Sequence, residues 1–297
     1  MRSYLNPKAG FVTSAASPVI DAHHHFWRIA NPGYEWIAGR YAPIAHDFGP
    51  AELAPLLQNA GVDGTVLVQA RERWDENEYL LAQAELLSVV RGIVVWADLL
   101  APDCIARLEG LAAHPLVRSV RPVLQGIPDT EWILIDQVVD TLRQLPAMNL
   151  CFDALVQPRH LQTIARLADM LPELPIVVDH CAKPTIWGGA LPERAWTAEI
   201  GELARRPNVY CKFSGLTFEH GPNWTTQSVQ PVFDTVLGAF GPHRLMWGSD
   251  WPVLDVEGSY SSWKSTVDAL ISTLSSGERA QILGGTAQQF YGLGTVP

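Results

Sequence analysis

The chain is short of charge and shorter still of lysine. Charged residues fill 18% of its 297 positions, against roughly 25% in an average soluble domain. Only 4 of its 21 basic residues are lysine, and 31 acidic residues leave a net charge of −10. Polyanionic partners require a basic face, so no nucleic acid and no anionic membrane surface is expected to bind. Cys104, Cys151, Cys181 and Cys211 form no C-x-x-C pair, which argues against a zinc ribbon and a thioredoxin motif. They read as small hydrophobes of a reducing compartment. No run approaches ~18 uninterrupted apolar residues, so no membrane span is expected. The first twenty residues lack the apolar segment of a secretory signal, and the expected location is the cytoplasm. No repeat, low-complexity tract or Pro/Ser linker divides the chain. The expected organisation is one domain over 1–297, with an N-terminal extension over 1–17 and a C-terminal helix and tail over 276–297.

Apolar residues, by contrast, are plentiful. At 47% they exclude a disordered chain. Short β-branched runs alternate with longer stretches of helical period. The runs predict eight strands, Val19–His25, Gly64–Gln69, Gly92–Asp98, Val117–Leu124, Met148–Ala154, Pro175–His180, Asn208–Ser214 and Arg244–Asp250. Helices are predicted over Ala51–Ala60, Glu76–Val89, Ile105–Ala113, Ile133–Leu145, Leu161–Leu171, Arg194–Arg205 and Val229–Phe240. Most strands are continuously apolar, as when helices cover a parallel sheet. Eight such units predict an α/β fold, a closed (β/α)8 TIM barrel. The open doubly wound alternative usually carries a glycine-rich turn after its first strand, and here that turn reads His23-His24-His25-Phe26-Trp27.

In such a barrel, chemistry sits where strands end. Strand one ends in Asp21-Ala22-His23-His24-His25, and strand alternation puts His23 and His25 on one face. Two imidazoles one pleat apart suit a metal or a pair of hydrogen bonds. An expression-tag remnant would be terminal, whereas this cluster caps an apolar strand. Strand six ends in Asp179-His180 and strand eight in Gly248-Ser249-Asp250-Trp251-Pro252. Asp250 has a competing role as helix N-cap, which Ser249 can fill instead. His23, His25, His180 and Asp250 suffice for one divalent ion or for a metal-free acid/base array. Arg71 and Arg73 follow strand two and Arg121 ends strand four, where a guanidinium fork would meet a carboxylate or sugar hydroxyls. Arg71 and Arg73 have carboxylates of their own loop as an alternative. Asp153 and Lys212 fit equally a structural pair or a pocket wall. Trp27, Trp36, Trp74, Trp132, Trp187, Trp224 and Trp251 follow strands and are expected at the barrel mouth, where an indole face stacks on a sugar ring.

Asp21-x-His23-x-His25 with a later His180 and a final Asp250 resembles the amidohydrolase superfamily. The finer likeness is to its sugar-lactone hydrolases of the L-fuconolactonase and L-rhamnonolactonase kind. It rests on Asp21–Trp27 (DAHHHFW) with Tyr34-x-Trp36, Val178–Pro184 (VDHCAKP) and Cys211–Leu216 (CKFSGL). Phe240–Pro252 (FGPHRLMWGSDWP) and Gly284–Leu293 (GGTAQQFYGL) extend it over nearly the whole chain. The resemblance implies a TIM barrel and attack of water on a lactone carbonyl, with a small-molecule lactone as partner. Asp250 would move the proton, and His180 with His23 and His25, or a metal they hold, would polarise the carbonyl. Two-metal members use a lysine at strand four and a histidine at strand five. Here those positions read Arg121-Pro122-Val123-Leu124-Gln125 and Asp153-Ala154-Leu155. The expectation is one divalent ion, zinc or similar, or none, and not a binuclear centre. A decarboxylase or an amide hydrolase of the same superfamily, and a catalytically silent binder, are the competing readings.

Overall fold

The computed structural model describes residues 17–294. The expected extension over 1–17, apart from Ser17, and the last residues of the expected tail, 295–297, lie outside the described residues. Eight parallel strands follow one another around the sheet: β1 Ile20–His24, β2 Gly64–Val68, β3 Val90–Val95, β4 Val117–Val120, β5 Cys151–Ala154, β6 Ile176–Val178, β7 Val209–Phe213 and β8 Leu245–Trp247. The ring closes just past β8, where Asp250 N donates to His23 O at 2.8 Å and His25 N to Trp251 O at 2.7 Å. The architecture is the (β/α)8 barrel that the sequence predicts.

Seven of the eight strands stop short of their predicted ends, and β5 ends at Ala154 as predicted. His25, Gln69, Asp98, Leu124, His180, Ser214 and Asp250 all leave the ladder. Freed from the pleat, these residues form the rim at the strands' C-terminal ends.

Helices α1 Pro50–Ala60, α2 Trp74–Glu85, α3 Cys104–Ala112, α4 Asp136–Leu142, α5 Leu161–Met170 and α6 Arg194–Leu203 follow the first six strands. A short α7, Leu216–His220, and a long α8, Thr226–Phe240, follow β7. On α5, Leu161, Ile164, Ala165 and Ala168 are buried, the stripe that its 3.6-residue period dictates. The N-terminus of α8 is capped by Thr225, whose side chain accepts from Ser228 N at 3.2 Å. Helix α9, Tyr260–Leu270, has no counterpart among the predicted helices, because its serines dilute the pattern. Its buried residues Tyr260, Trp263, Val267 and Leu270 nonetheless hold helical spacing.

The barrel interior is packed by Ile20, Ala22, Val66, Val94, Val177 and Met246. Below them, helix α10, Thr286–Phe290, brings Phe290 and the following Tyr291 and Leu293 against the same cluster. Strand β1 contains a bulge. Asp21 pairs with Thr65 and His24 with Leu67, so Ala22 and His23 oppose Val66 alone. Ile20 and Ala22 face the interior, and strict alternation would turn His24 inward and His23 outward. The extra residue reverses that parity and delivers His23 and His25 to the barrel's centre.

Candidate active site

Four predicted residues converge at the C-terminal rim. The Nε2 atoms of His23 and His25 are 3.2 Å apart. Asp250 Oδ1 lies 3.7 Å from His23 Nε2, 3.4 Å from His25 Nε2 and 3.8 Å from His180 Nε2. All three approaches are to one carboxylate oxygen.

Backbone strain positions this cluster. Asp250 sits at φ 60, a left-handed conformation that aspartate tolerates better than most. His180, Cys181, Ala182 and Lys183 are all left-handed, at φ 52, 53, 57 and 52. Left-handed geometry costs a non-glycine residue roughly 1–2 kcal/mol. Neighbouring groups hold the turn: Trp196 Nε1 donates to Cys181 O at 2.9 Å, and Lys183 N to His180 O at 2.8 Å. Gly215 clears the space beside it. A Cβ there would sit 2.6 Å from His180 Nδ1.

The imidazoles are oriented from behind. His25 Nδ1 is 2.8 Å from Val68 O, so it carries the proton and the Nε2 lone pair faces the cluster. His180 Nδ1 meets Ser214 Oγ at 2.9 Å. His23 Nδ1 lies 3.4 Å from Asp179 Oδ1 and 3.1 Å from the Lys212 ammonium. Burial, then Lys212, holds His23 well below the ordinary imidazole range, and burial pushes His180 down to about 4. For Asp250, burial opposes ionisation, but His180 and His25 outweigh it and keep the carboxyl below its ordinary value. At neutral pH the Asp250 carboxylate is an anion beside the uncharged imidazoles of His23 and His180.

Beneath it lies a buried charge network. Lys212 Nζ is 2.6 Å from Asp153 Oδ2 and 3.0 Å from Asp179 Oδ1. Arg121 donates to Asp179 Oδ2 at 3.0 Å and to Gln69 O. Asp153 also accepts from Ser119 Oγ at 2.6 Å and from Tyr291 OH at 2.7 Å. Burial raises the Asp153 carboxyl despite Lys212. Asp179 ends well below its ordinary range, because Lys212 and His23 overcome the same burial.

Above the cluster opens a cavity of about 430 Å³, lined among others by His25, His180, Asp250, Arg121, Trp36 and Lys183. The remaining predicted site residues fall in several places. Arg71 reaches the lining, but its guanidinium is taken by Glu76, by Pro32 O at 2.8 Å and by Asp75 at 3.3 Å. Arg73 pairs with Asp75 on the surface. Asp153 and Lys212 lie under the site, outside the cavity lining. Trp27 is wholly buried, donating to His46 O at 2.8 Å and packing edge-on to Phe48. Of the seven tryptophans expected at the mouth, Trp36 lines the cavity. Trp251 is as buried as Trp27, Trp74 packs on Trp96, and Trp187 lies under Arg40. A strand-following indole packs under the rim as readily as it lines it. Lys183, within VDHCAKP, also lines the cavity, and the sequence does not announce it, because the left-handed turn that carries it contains no glycine.

The donor atoms also fit a metal. His23, His25 and Asp250 bring three ligand atoms together, and His180 Nε2 lies 3.8 Å from the shared Asp250 oxygen. The 3.2–3.7 Å separations among His23, His25 and Asp250 are close to the edges of one face of a tetrahedron with bonds of about 2.0–2.2 Å.

A (β/α)8 barrel with a histidine-ringed aspartate where its strands end defines an acid/base catalytic centre, with or without a metal. Residues 20–293 match the amidohydrolase family, and the chain belongs to it. It is 40% identical over 276 residues to an L-fucono-1,5-lactonase of Burkholderia ambifaria, covering 92% of this chain and 94% of that one. An L-fucono-1,5-lactonase of Burkholderia multivorans is 34% identical, with 92% and 96% covered. An amidohydrolase of Burkholderia multivorans solved with bound zinc superposes with a TM-score of 0.88 at 32% identity, covering 93% of this chain and all of that one.

Proposed function

We propose that this chain hydrolyses the lactone ring of a sugar acid, a six-membered 1,5-lactone as in its named relatives. The observation that carries the reading is Asp250, an ionised carboxylate with one oxygen facing three imidazoles on a cavity of about 430 Å³.

Because Oδ1 is turned to the imidazoles, Oδ2 is left to take a proton. A water held beside it adds to the lactone carbonyl carbon as its proton passes to Asp250. Negative charge moves to the carbonyl oxygen, and the His180 Nε2 side of the cluster faces it. The acyl bond to the ring oxygen then breaks, and Asp250 returns the proton to that oxygen. The product is an open hydroxy acid. One divalent ion bound by His23, His25 and Asp250 would supply Lewis-acid polarisation of the carbonyl. Lys212, Asp179 and Arg121 fix His23 from behind. Arg121 therefore supports the site through its buried contacts as well as lining it. No direct contact of substrate with Trp27, Arg73, Asp153 or Lys212 enters this reading.

A pH-indicator screen of aldono-1,4- and 1,5-lactones tests it. Rates above spontaneous opening are expected for 1,5-lactones, and a rate on none of the panel refutes the reading. Protein purified without chelator is expected to carry at most one equivalent of divalent metal by elemental analysis; two equivalents would contradict it. The pH profile follows from the groups above. Asp250 works as an anion and His180 uncharged, and both states are lost on protonation. The expected kcat/KM is level from about pH 6 to 8 and falls on the acid side as His180 is protonated near pH 4. An acid limb near pH 7 would show that neither group governs the rate.

Among the described residues no helix is long and apolar enough to cross a membrane.

A further inference from the structure

Among the described residues three cations line the cavity: Arg71, Arg121 and Lys183. Two are spent within the protein. Arg71 is bound by Glu76, Asp75 and Pro32 O, and Arg121 by Asp179 and Gln69 O. Lys183 differs. Its nearest anionic partner among the described residues is Glu219 Oε1 at 3.6 Å, an ion pair too long to use up an N–H. Its three donors remain available to whatever fills the cavity.

The chain goes to some cost to put it there. Four successive left-handed residues run from His180 to Lys183, and with a turn of that pitch the first and last side chains both reach the same cavity. Glu219, from α7 after β7, approaches the ammonium from outside the cavity lining, and burial works against its own ionisation.

We infer that Lys183 is a further catalytic residue, donating a hydrogen bond to the lactone's ring oxygen and stabilising the alkoxide as the acyl bond breaks. This rests on the lactonase reading. The carbonyl oxygen is accounted for by the histidine cluster, and the ring oxygen, bonded to the same carbon, is the second atom on which charge develops. The bonding electrons pass to that oxygen, the proton that neutralises it comes from Asp250, and Lys183 keeps its own throughout. A preorganised donor aimed at developing charge typically contributes 10²–10³ in rate.

The test compares wild type, Lys183→Met, Lys183→Arg and Lys183→Met/Glu219→Gln on a 1,5-lactone and on its thiolactone. A thiolate, from a thiol of pKa about 8.5, departs without such help. Lys183→Met is expected to lose roughly 10²-fold in kcat on the lactone and under tenfold on the thiolactone. Lys183→Arg should keep more activity than Lys183→Met. The double variant should remain as slow as Lys183→Met, since it restores no donor. Equal losses on both substrates, or recovery in the double variant, would overturn the assignment. In the second case an unpaired Glu219 was the cause. Wild type opening no lactone refutes the function reading separately. Calorimetry with the ring-opened hydroxy acid then decides: binding weakened about tenfold in Lys183→Met supports a ligand contact, and unchanged binding overturns it.

Discussion

Asp250→Asn is expected to lower kcat for lactone opening by roughly 10²–10⁴-fold, with little change in KM or melting temperature. Asparagine matches the carboxylate in shape and keeps an oxygen for the imidazoles. It cannot take a proton from water or return one to the ring oxygen. Fold and binding should survive because Asp250 is attached at its backbone too, through Asp250 N to His23 O at 2.8 Å and Leu254 N to Asp250 O at 3.0 Å. Retention of more than about a tenth of wild-type kcat would place the proton acceptor elsewhere. A large rise in KM at unchanged kcat would make Asp250 a binding group instead.

The second large effect lies beneath the site. Lys212→Met is expected to destabilise the protein by about 3–5 kcal/mol, the usual cost of removing one partner from a buried ion pair. That is a fall on the order of 10 °C in melting temperature. Lys212 is wholly buried and is the cation shared by Asp153 and Asp179. Methionine fills much of the space but leaves both carboxylates short of a partner in a site closed to bulk solvent. Arg121 still reaches Asp179, so Asp153 bears most of the loss. Lys212→Met/Asp153→Asn should recover part of the stability. Activity should fall in both variants, because His23 loses the ammonium 3.1 Å from its Nδ1. An unchanged melting temperature for Lys212→Met would mean that the network contributes nothing net to the fold.

What was legible in the sequence followed from period and position. Eight apolar runs spaced by helical stripes lead to one barrel, and polar residues at run ends lead to its rim. His23, His25, His180 and Asp250 needed only those two facts to be grouped. What stayed hidden was partner choice and backbone sign. Arg71 looks like Arg73 in sequence, yet a buried Glu76 takes one and an exposed Asp75 the other. The β1 bulge leaves no trace in composition, although it decides which histidines face inward. A left-handed turn is usually announced by glycine, and His180–Lys183 contains none, so the lysine it aims stayed unread. Trp27 and Trp251 follow strands, as wall residues would, but the loop from 28 to 49 covers them: Phe48 packs on both rings.

The central claim is that water, activated at Asp250, attacks the lactone carbonyl. Enzymatic opening of an L-sugar 1,5-lactone in ¹⁸O-enriched water, at enzyme levels that outrun spontaneous hydrolysis, tests it most directly. The expected product carries one heavy oxygen in its carboxylate and none in the new hydroxyl, and Asp250→Asn forms it at about one per cent of the wild-type rate or less. Heavy oxygen in the hydroxyl, or no acceleration by the wild-type protein, would contradict the account.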